Sequence, residues 1–372
     1  MPAEADVAVV GGGVIGLAAA RELRGRGASV VVLEREAVGA GQSRVQQGGV
    51  RRQFGTEIGC RLASESVAFW REAGSRLGGG AGLGFSACGY LFVAHSPETL
   101  ARLRANVAIQ NLAGVPSRIV EPDEAAELVP GLSAATLTGA AWCAEDGYFD
   151  RPQEVVAAFA ESLDIRIAEV TALRRAGESW EVETTARPVR ARNVVVAIGA
   201  ASAELLAPLG VDVPLDREER HLFLSRPLEE RLLDPLVVSP ERSFAAKQLA
   251  DGRVLSSDLT AMGDVELGAP AWRERIGTGI AELLPGLCGV ELPTILSGVY
   301  DITPDRQPIL GPIPGLQGVQ LAAGFSGHGF MLAPAVARIL ADAVEGRRDP
   351  ALDVLDLDRF AEGRPVPEPQ VV

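Results

Sequence analysis

Two hydrophobic periods alternate along the chain. The first is an unbroken apolar run, Asp6-Val-Ala-Val-Val10, of the kind a buried strand carries. A glycine turn follows, then a helical pattern from Val14 to about Arg24, then a second apolar run, Ser29-Val-Val-Val-Leu33. This is strand, crossover, parallel strand. The next helix predicted by spacing starts at the cap residue Thr56, carries Ile58, Leu62, Phe69 and Trp70 on or near one face, and ends in the glycines Gly78 to Gly80.

A β-like run between Phe85 and Val93 and a polar helix through Leu100–Asn106 suggest the start of a different domain. Around Asp146-Gly-Tyr-Phe-Asp150 the chain turns into a helix over Gln153–Leu163, with strands expected near Ile165–Leu173 and Trp180–Thr184. Asn193-Val-Val-Val-Ala-Ile198 then runs straight into Gly199-Ala-Ala-Ser202 and a helix, the junction an α/β sheet uses. Short alternating runs from Glu219 to Val299, beginning His221-Leu-Phe-Leu, Ser243-Phe-Ala-Ala and Arg253-Val-Leu-Ser, predict antiparallel strands with one helix at Trp272–Leu284. A last strand, Gly318–Ala323, leads into Gly324-Phe-Ser-Gly-His-Gly-Phe-Met331 and a helix to Val344. The fold class is therefore α/β with an α+β second domain inserted into it, and 372 residues suit about two domains. The Pro- and Glu-rich stretch after Arg359 reads as a disordered tail.

Composition narrows the partners. With 49 acidic and 35 basic residues and a net charge of −14, the chain repels nucleic acid and anionic membrane. No apolar stretch reaches the roughly 18 residues of a membrane span, and the start lacks a basic region and cleavage site, so a cytoplasmic protein is expected. Cys60, Cys88, Cys143 and Cys288 are scattered, without CxxC spacing or neighbouring histidine, which signals neither a disulfide framework nor a metal site. Lys247 is the single lysine, every other basic residue being arginine. A lysine kept under such a bias suits chemistry that needs an amine able to lose its proton.

Gly11-x-Gly13-x-x-Gly16 lies between strand and helix, where glycines allow a tight turn, approach of a pyrophosphate and close helix packing. Glu34 ends the second strand, eighteen residues beyond Gly16, where a carboxylate accepts both hydroxyls of an adenosine ribose. These residues specify a dinucleotide but leave FAD and NAD as alternatives. Two further glycine-bearing junctions, Gly199 and Gly324–Gly329, would aim helix N-termini at one extended cofactor. In a flavin, a helix starting near Gly327 would stabilise the charge that develops at N1 on reduction.

Three runs make the pattern specific: Gly324–Ala335, the preceding Tyr300-Asp-Ile-Thr-Pro-Asp-Arg-Gln-Pro-Ile-Leu-Gly311, and Gly48-Gly-Val-Arg-Arg-Gln-Phe54. Together they resemble the D-amino-acid-oxidase superfamily of FAD enzymes over nearly the whole chain, and most of all its branch with the sarcosine oxidase β subunit, dimethylglycine dehydrogenase and the proline dehydrogenase β subunit. The resemblance implies a Rossmann-like FAD-binding domain (1–84, 150–215 and 300–360), a substrate domain on a mixed antiparallel sheet (85–149 and 216–299), and a tail (361–372). It implies FAD contacts from Gly11, Gly13, Val14, Ile15, Gly16, Glu34, Arg35, Ser43, Gln47, Gly48 and Gly49, with Val170 on the adenine side and Gly199 and Ala200 along the cofactor. Gly327, His328, Gly329, Phe330 and Met331 would meet the flavin ring. The cysteine through which monomeric sarcosine oxidases bind FAD would fall near Gly298 here, so the resemblance implies non-covalent FAD. Their lysine is Met331 here, and the arginine that glycine oxidases place near Tyr300 is absent.

The chemistry implied is hydride transfer from the carbon beside an amine to flavin N5, giving an imine. The substrate would be a small amine or amino acid and oxygen the electron acceptor. Arg51 and Arg52 are the remaining candidates for a substrate carboxylate, Arg51 the preferred one, with Tyr300 as a hydroxyl donor. Lys247 would stabilise superoxide or bind substrate, unless it is a solvated strand lysine. His328 is either a polar group near the flavin or a turn residue chosen for its backbone shape. Two alternatives stay open: a dehydrogenase feeding a carrier or partner subunit, and an assembly factor with structural FAD. The sequence leaves the oligomeric state undetermined.

Overall fold

The computed structural model describes residues 3–79 and 83–369. Among them, strands form two eight-stranded sheets and one two-stranded ribbon. The first sheet runs Ile309–Pro312, Val319–Ala323, Val189–Val196, Ala3–Val10, Val30–Glu34, Asp164–Ile167, with the hairpin Val170–Ala176 and Ser179–Thr184 added beside Val189–Val196. Its central pairs are parallel. Val7, Val9, Val32 and Val195 face one apolar cluster while Ala8, Val10, Val31 and Val194 face another. Burial on both faces is why these strands lack polar alternation.

Helices Val14–Gly25, Glu57–Trp70 and Gly329–Val344 cover one face. Thr56 caps the second of these, its side chain accepting from Gly59 N at 3.3 Å. Of the glycines expected to end that pattern, Gly80 lies outside the described residues.

The second sheet runs Thr294–Ile302, Asp216–Pro227, Arg253–Asp258, Phe244–Gln248, Leu236–Ser239, Tyr90–Ala94, Gly139–Cys143, Arg118–Val120. All pairs are antiparallel except Leu236–Ser239 with Tyr90–Ala94. Its faces alternate, with Leu91 and Val93 toward helix Val265–Leu283 and Tyr90 and Phe92 toward the other side. Gly49–Val50 pairs with Gly147–Tyr148 between them in the chain order.

Three expectations need correction. The apolar run near Ile165–Leu173 is two strands, Asp164–Ile167 and Val170–Ala176, which pair with different neighbours. The helix expected from Trp272 begins at Val265, because Asp264 caps it by accepting from Leu267 N at 3.1 Å and the helix runs on through Pro270. The stretch after Arg359 is not a disordered tail over the described residues. Arg359 and Asp305 pair with both side chains fully buried. Val366 N and Glu368 N then bond to Asp305, which ties residues 361–369 to the body. Composition misled here because one buried ion pair and two bonds from backbone amides replace an apolar face.

Removing one partner of a fully buried pair strands a charge, so Arg359→Met should cost about 3–5 kcal/mol of folding free energy in denaturant unfolding. Arg348→Ala, which breaks the exposed pair with Asp353, should leave the transition unmoved. Equal effects of the two variants would contradict this reading.

Candidate active site

The site begins at the glycine turn. Gly11 has φ +112°, and a Cβ on it would lie 2.3 Å from Ala197 O. A Cβ on Gly16 would lie 2.1 Å from Gly11 O, so helix Val14–Gly25 can rest directly on its strand only with glycine there. Gly13 is the N-cap and offers no side-chain acceptor, leaving first-turn amides without intrahelical partners. Val14 N donates to Ser43 Oγ at 2.9 Å, which brings the hydroxyl of Ser43 to the same helix end.

Glu34 turns its carboxylate back over this turn. Oε2 accepts from Gly12 N at 2.7 Å and Oε1 from Glu36 N at 2.9 Å. Ala168 N donates to Glu34 O at 2.7 Å, which sets the start of strand Val170–Ala176 alongside the acid. Arg35 instead points outward to Glu36 at 3.2 Å.

The second helix start lies against the first. A Cβ on Gly329 would be 3.8 Å from Ile15 Cγ1, and His328, the N-cap, makes no side-chain capping bond. The third junction joins them through Asp301. Its buried Oδ2 accepts from Gly324 N at 2.6 Å and lies 3.6 Å from where a Cβ of Gly199 would stand, with Gln42 Nε2 at 3.2 Å from the same point. Ala200 follows as the residue before helix Ala201–Leu206. Burial pushes the Asp301 carboxyl above its ordinary pKa, against the hydrogen bond from Gly324. Neither Gln42 nor Asp301 was singled out from sequence; the available signal was the place of Asp301 directly after Tyr300.

Arg51 is buried. Its guanidinium donates to Gln53 O and contacts His328 Nε2 at 3.0 Å, over the rings of Phe54 (4.5 Å) and Phe92 (5.4 Å). A guanidinium cannot accept, so His328 Nε2 is the acceptor and the proton sits on Nδ1. Burial, then the charges of Arg51 and Arg306, hold His328 well below its usual pKa, so it is neutral. His328 occupies the helix-start turn and also grips Arg51. Tyr300 lies on the backbone of Gly327, where a Cβ would be 2.5 Å from its ring. Arg52 is committed elsewhere, to Asp146 at 3.3 Å and Glu145 at 2.7 Å.

Lys247 is fully buried, which excludes the solvated-strand reading. Its Nζ donates to Gln47 O, beside Gly48 and Gly49, and stands 3.8 Å from the Tyr148 ring centroid. Burial lowers its pKa to about 7, with Asp150 opposing. Phe330 and Met331 are brought to the helix start only by their backbone. The Phe330 ring stacks on Trp70 at 5.1 Å, and Met331 O accepts from Trp70 Nε1 at 2.9 Å.

Several features fit an extended dinucleotide. The two adjacent helix starts present bare amides, and a Cβ on Gly13 would crowd Ser43 Oγ at 3.3 Å. Gln46 Oε1 is buried without a partner on the same loop as Ser43 and Gln47. Gly298 offers no thiol for a covalent link, and a Cβ there would meet Val45 Cβ at 2.9 Å. Among the described residues, no cluster of side chains could hold a metal ion and no helix is long and apolar enough to cross a membrane.

A family model described as DAO, FAD dependent oxidoreductase, matches residues 6–343. Glycine oxidase from Pseudomonas aeruginosa is 30% identical over 360 residues, covering 93% of this chain and 96% of that protein. FAD-dependent oxidoreductase domain-containing protein 1 from Bos taurus is 27% identical over 397 residues, covering 92% and 82%. The crystal structure of L-proline dehydrogenase from P. horikoshii superimposes with a TM-score of 0.89 at 28% identity, covering 98% of this chain and 99% of that one.

The Lys247 amine titrates near 7 in the folded protein and near 10.5 unfolded. Between those values only the unfolded chain holds the proton, so this group makes stability rise with pH across that window. Below pH 7 the folded protein bears the full cost of a buried ammonium. Lys247→Met should therefore raise the thermal midpoint most at pH 6–7, by an amount that shrinks toward pH 10. A gain that does not change with pH, or no gain, would contradict the burial argument.

Proposed function

The chain belongs to the DAO family of FAD-dependent oxidoreductases, and from that premise we propose that it oxidises the C–N bond of an amino acid or N-alkyl amino acid to the imine, with oxygen as electron acceptor. The observation that carries this reading is Arg51. A guanidinium buried beside the helix start at Gly329, and gripped by a neutral imidazole, suits a carboxylate brought to the reacting face of the cofactor. FAD, when bound, supplies the two-electron acceptor.

The chain's own residues would do the rest. First-turn amides at Ile15 and Gly16 and the Ser43 hydroxyl would hold the pyrophosphate, and Glu34 the ribose. Gln42, Asp301, Gly199 and Gly324 would line the middle of the cofactor. The Gln47 to Gly49 loop and the Gly327 to Met331 turn would bracket the ring. Arg51 would bind the substrate carboxylate, His328 would keep its guanidinium oriented, and Tyr300 would wall the pocket from the second sheet. Lys247 would place a titratable cation where oxygen is reduced, which favours oxidase chemistry. The imine is then hydrolysed by water, and oxygen leaves as hydrogen peroxide. A dehydrogenase is the second reading, favoured by the likeness to L-proline dehydrogenase.

Anaerobic mixing of the FAD-loaded protein with a panel of amino acids and N-methyl amino acids should bleach the visible flavin band with at least one member. Admitting air should restore the band with stoichiometric hydrogen peroxide. Bleaching by none of the panel would remove the amino-acid reading; bleaching without peroxide would favour the dehydrogenase. For the substrate so found, Arg51→Met should raise KM about 100-fold, as loss of a charged hydrogen-bonded partner does. Lys247→Met should slow reoxidation by oxygen far more than bleaching, and in the wild type reoxidation should fall as pH rises through about 7.

A further inference from the structure

The segment after Arg359 runs, over its described residues, back to the loop that carries Arg51. Glu368, buried though charged, accepts from Gly55 N and from Thr56 Oγ1, each at 2.7 Å. Gly55 is shaped for this contact: a Cβ there would lie 2.3 Å from Pro369 Cγ and 3.1 Å from Glu368 Oε1. The same Thr56 hydroxyl caps helix Glu57–Trp70 and accepts from Gln307 Nε2 at 2.9 Å. A carboxylate at that helix start is also favoured by the helix dipole.

Phe54, directly before Gly55, joins this anchor to the site. Its ring meets His328 edge to face at 5.1 Å and underlies the Arg51 guanidinium at 4.5 Å. On the other side the loop is held by Asp146, which takes Arg52 N at 2.9 Å. Gln110 holds Phe54 O at 3.0 Å, so the 54–56 end is fixed jointly by Gln110 and Glu368.

We propose that residues 361–369 form a strap whose Glu368 carboxylate, by fixing Gly55 and Thr56, sets the position of the Arg51 guanidinium. Glu368 is then a positioning residue for carboxylate binding. This rests on the reading of Arg51 given above. The strap itself is moored by Arg359 and Asp305, so its hold is built into the fold. Loss of the Glu368 contacts frees Phe54 to move, and Arg51 and His328 move with it.

The test uses the full chain loaded with FAD and the variants Glu368→Ala, Glu368→Gln and Arg51→Met. Hydrogen exchange is followed over residues 51–56, and benzoate binding is read from perturbation of the flavin band. In Glu368→Ala the amides of Arg51 to Phe54 should exchange about tenfold faster and the benzoate Kd should rise about tenfold. Glutamine, which keeps one acceptor, should restore most of both; if the alanine variant does not fold, a two- to threefold effect in Glu368→Gln decides in favour. Faster exchange confined to Gly55 and Thr56 with an unchanged Kd would overturn the strap. Arg51→Met that binds benzoate like the wild type would instead overturn Arg51 as carboxylate receptor, and exchange alone would then judge the strap.

Discussion

Everything at the site depends on how closely helix Val14–Gly25 can lie on strand Ala3–Val10. Any side chain at Gly16 would strike the Gly11 carbonyl, and any at Gly11 would strike Ala197 O. With glycine at both places the helix seats on the sheet, its amide end meets the start of helix Gly329–Val344, and two helix starts whose N-caps supply no side-chain acceptor face one region. The parallel strands then deliver three loops to that region, those after Val10, Val196 and Ala323. From the edge of the second sheet Asp301 holds the last of these loops through Gly324 N and lies beside Gly199 of the one before.

Around this frame lie charges that the fold buries at a cost. Lys247 gives up much of its basicity, and His328 stays neutral next to Arg51. Such groups cost stability, and Lys247 lies against the Gln47 loop while His328 stands at the start of helix Gly329–Val344. The Arg359–Asp305 pair is different in kind. It moors a segment that reaches back to the Arg51 loop.

The first βαβ unit, the Thr56 cap and the strand-to-helix junction at Gly324 were legible because local chemistry dictates them: glycine for sterics, a hydroxyl for a cap, unbroken apolar runs for a buried parallel strand. The burial of Lys247 was only half legible. Its singularity in composition hinted at chemistry, but its place under Tyr148 and against Gln47 depends on pairing between Leu236–Ser239, Phe244–Gln248 and Arg253–Asp258. Arg51 and Arg52 are neighbours in sequence but differ in partners, since only tertiary packing supplies Asp146 to the second. The segment after Arg359 was misread for a related reason. Its order comes from polar anchors more than 50 residues away in sequence, which no window of hydrophobicity registers.

The most direct measurement is a crystal structure of the FAD-loaded protein with a small carboxylate bound. The carboxylate is expected within about 3.2 Å of the Arg51 guanidinium, over a flavin ring lying between the Gly48 loop and the start of helix Gly329–Val344. A carboxylate held by another cation, with Arg51 still bound only within the protein, would contradict it.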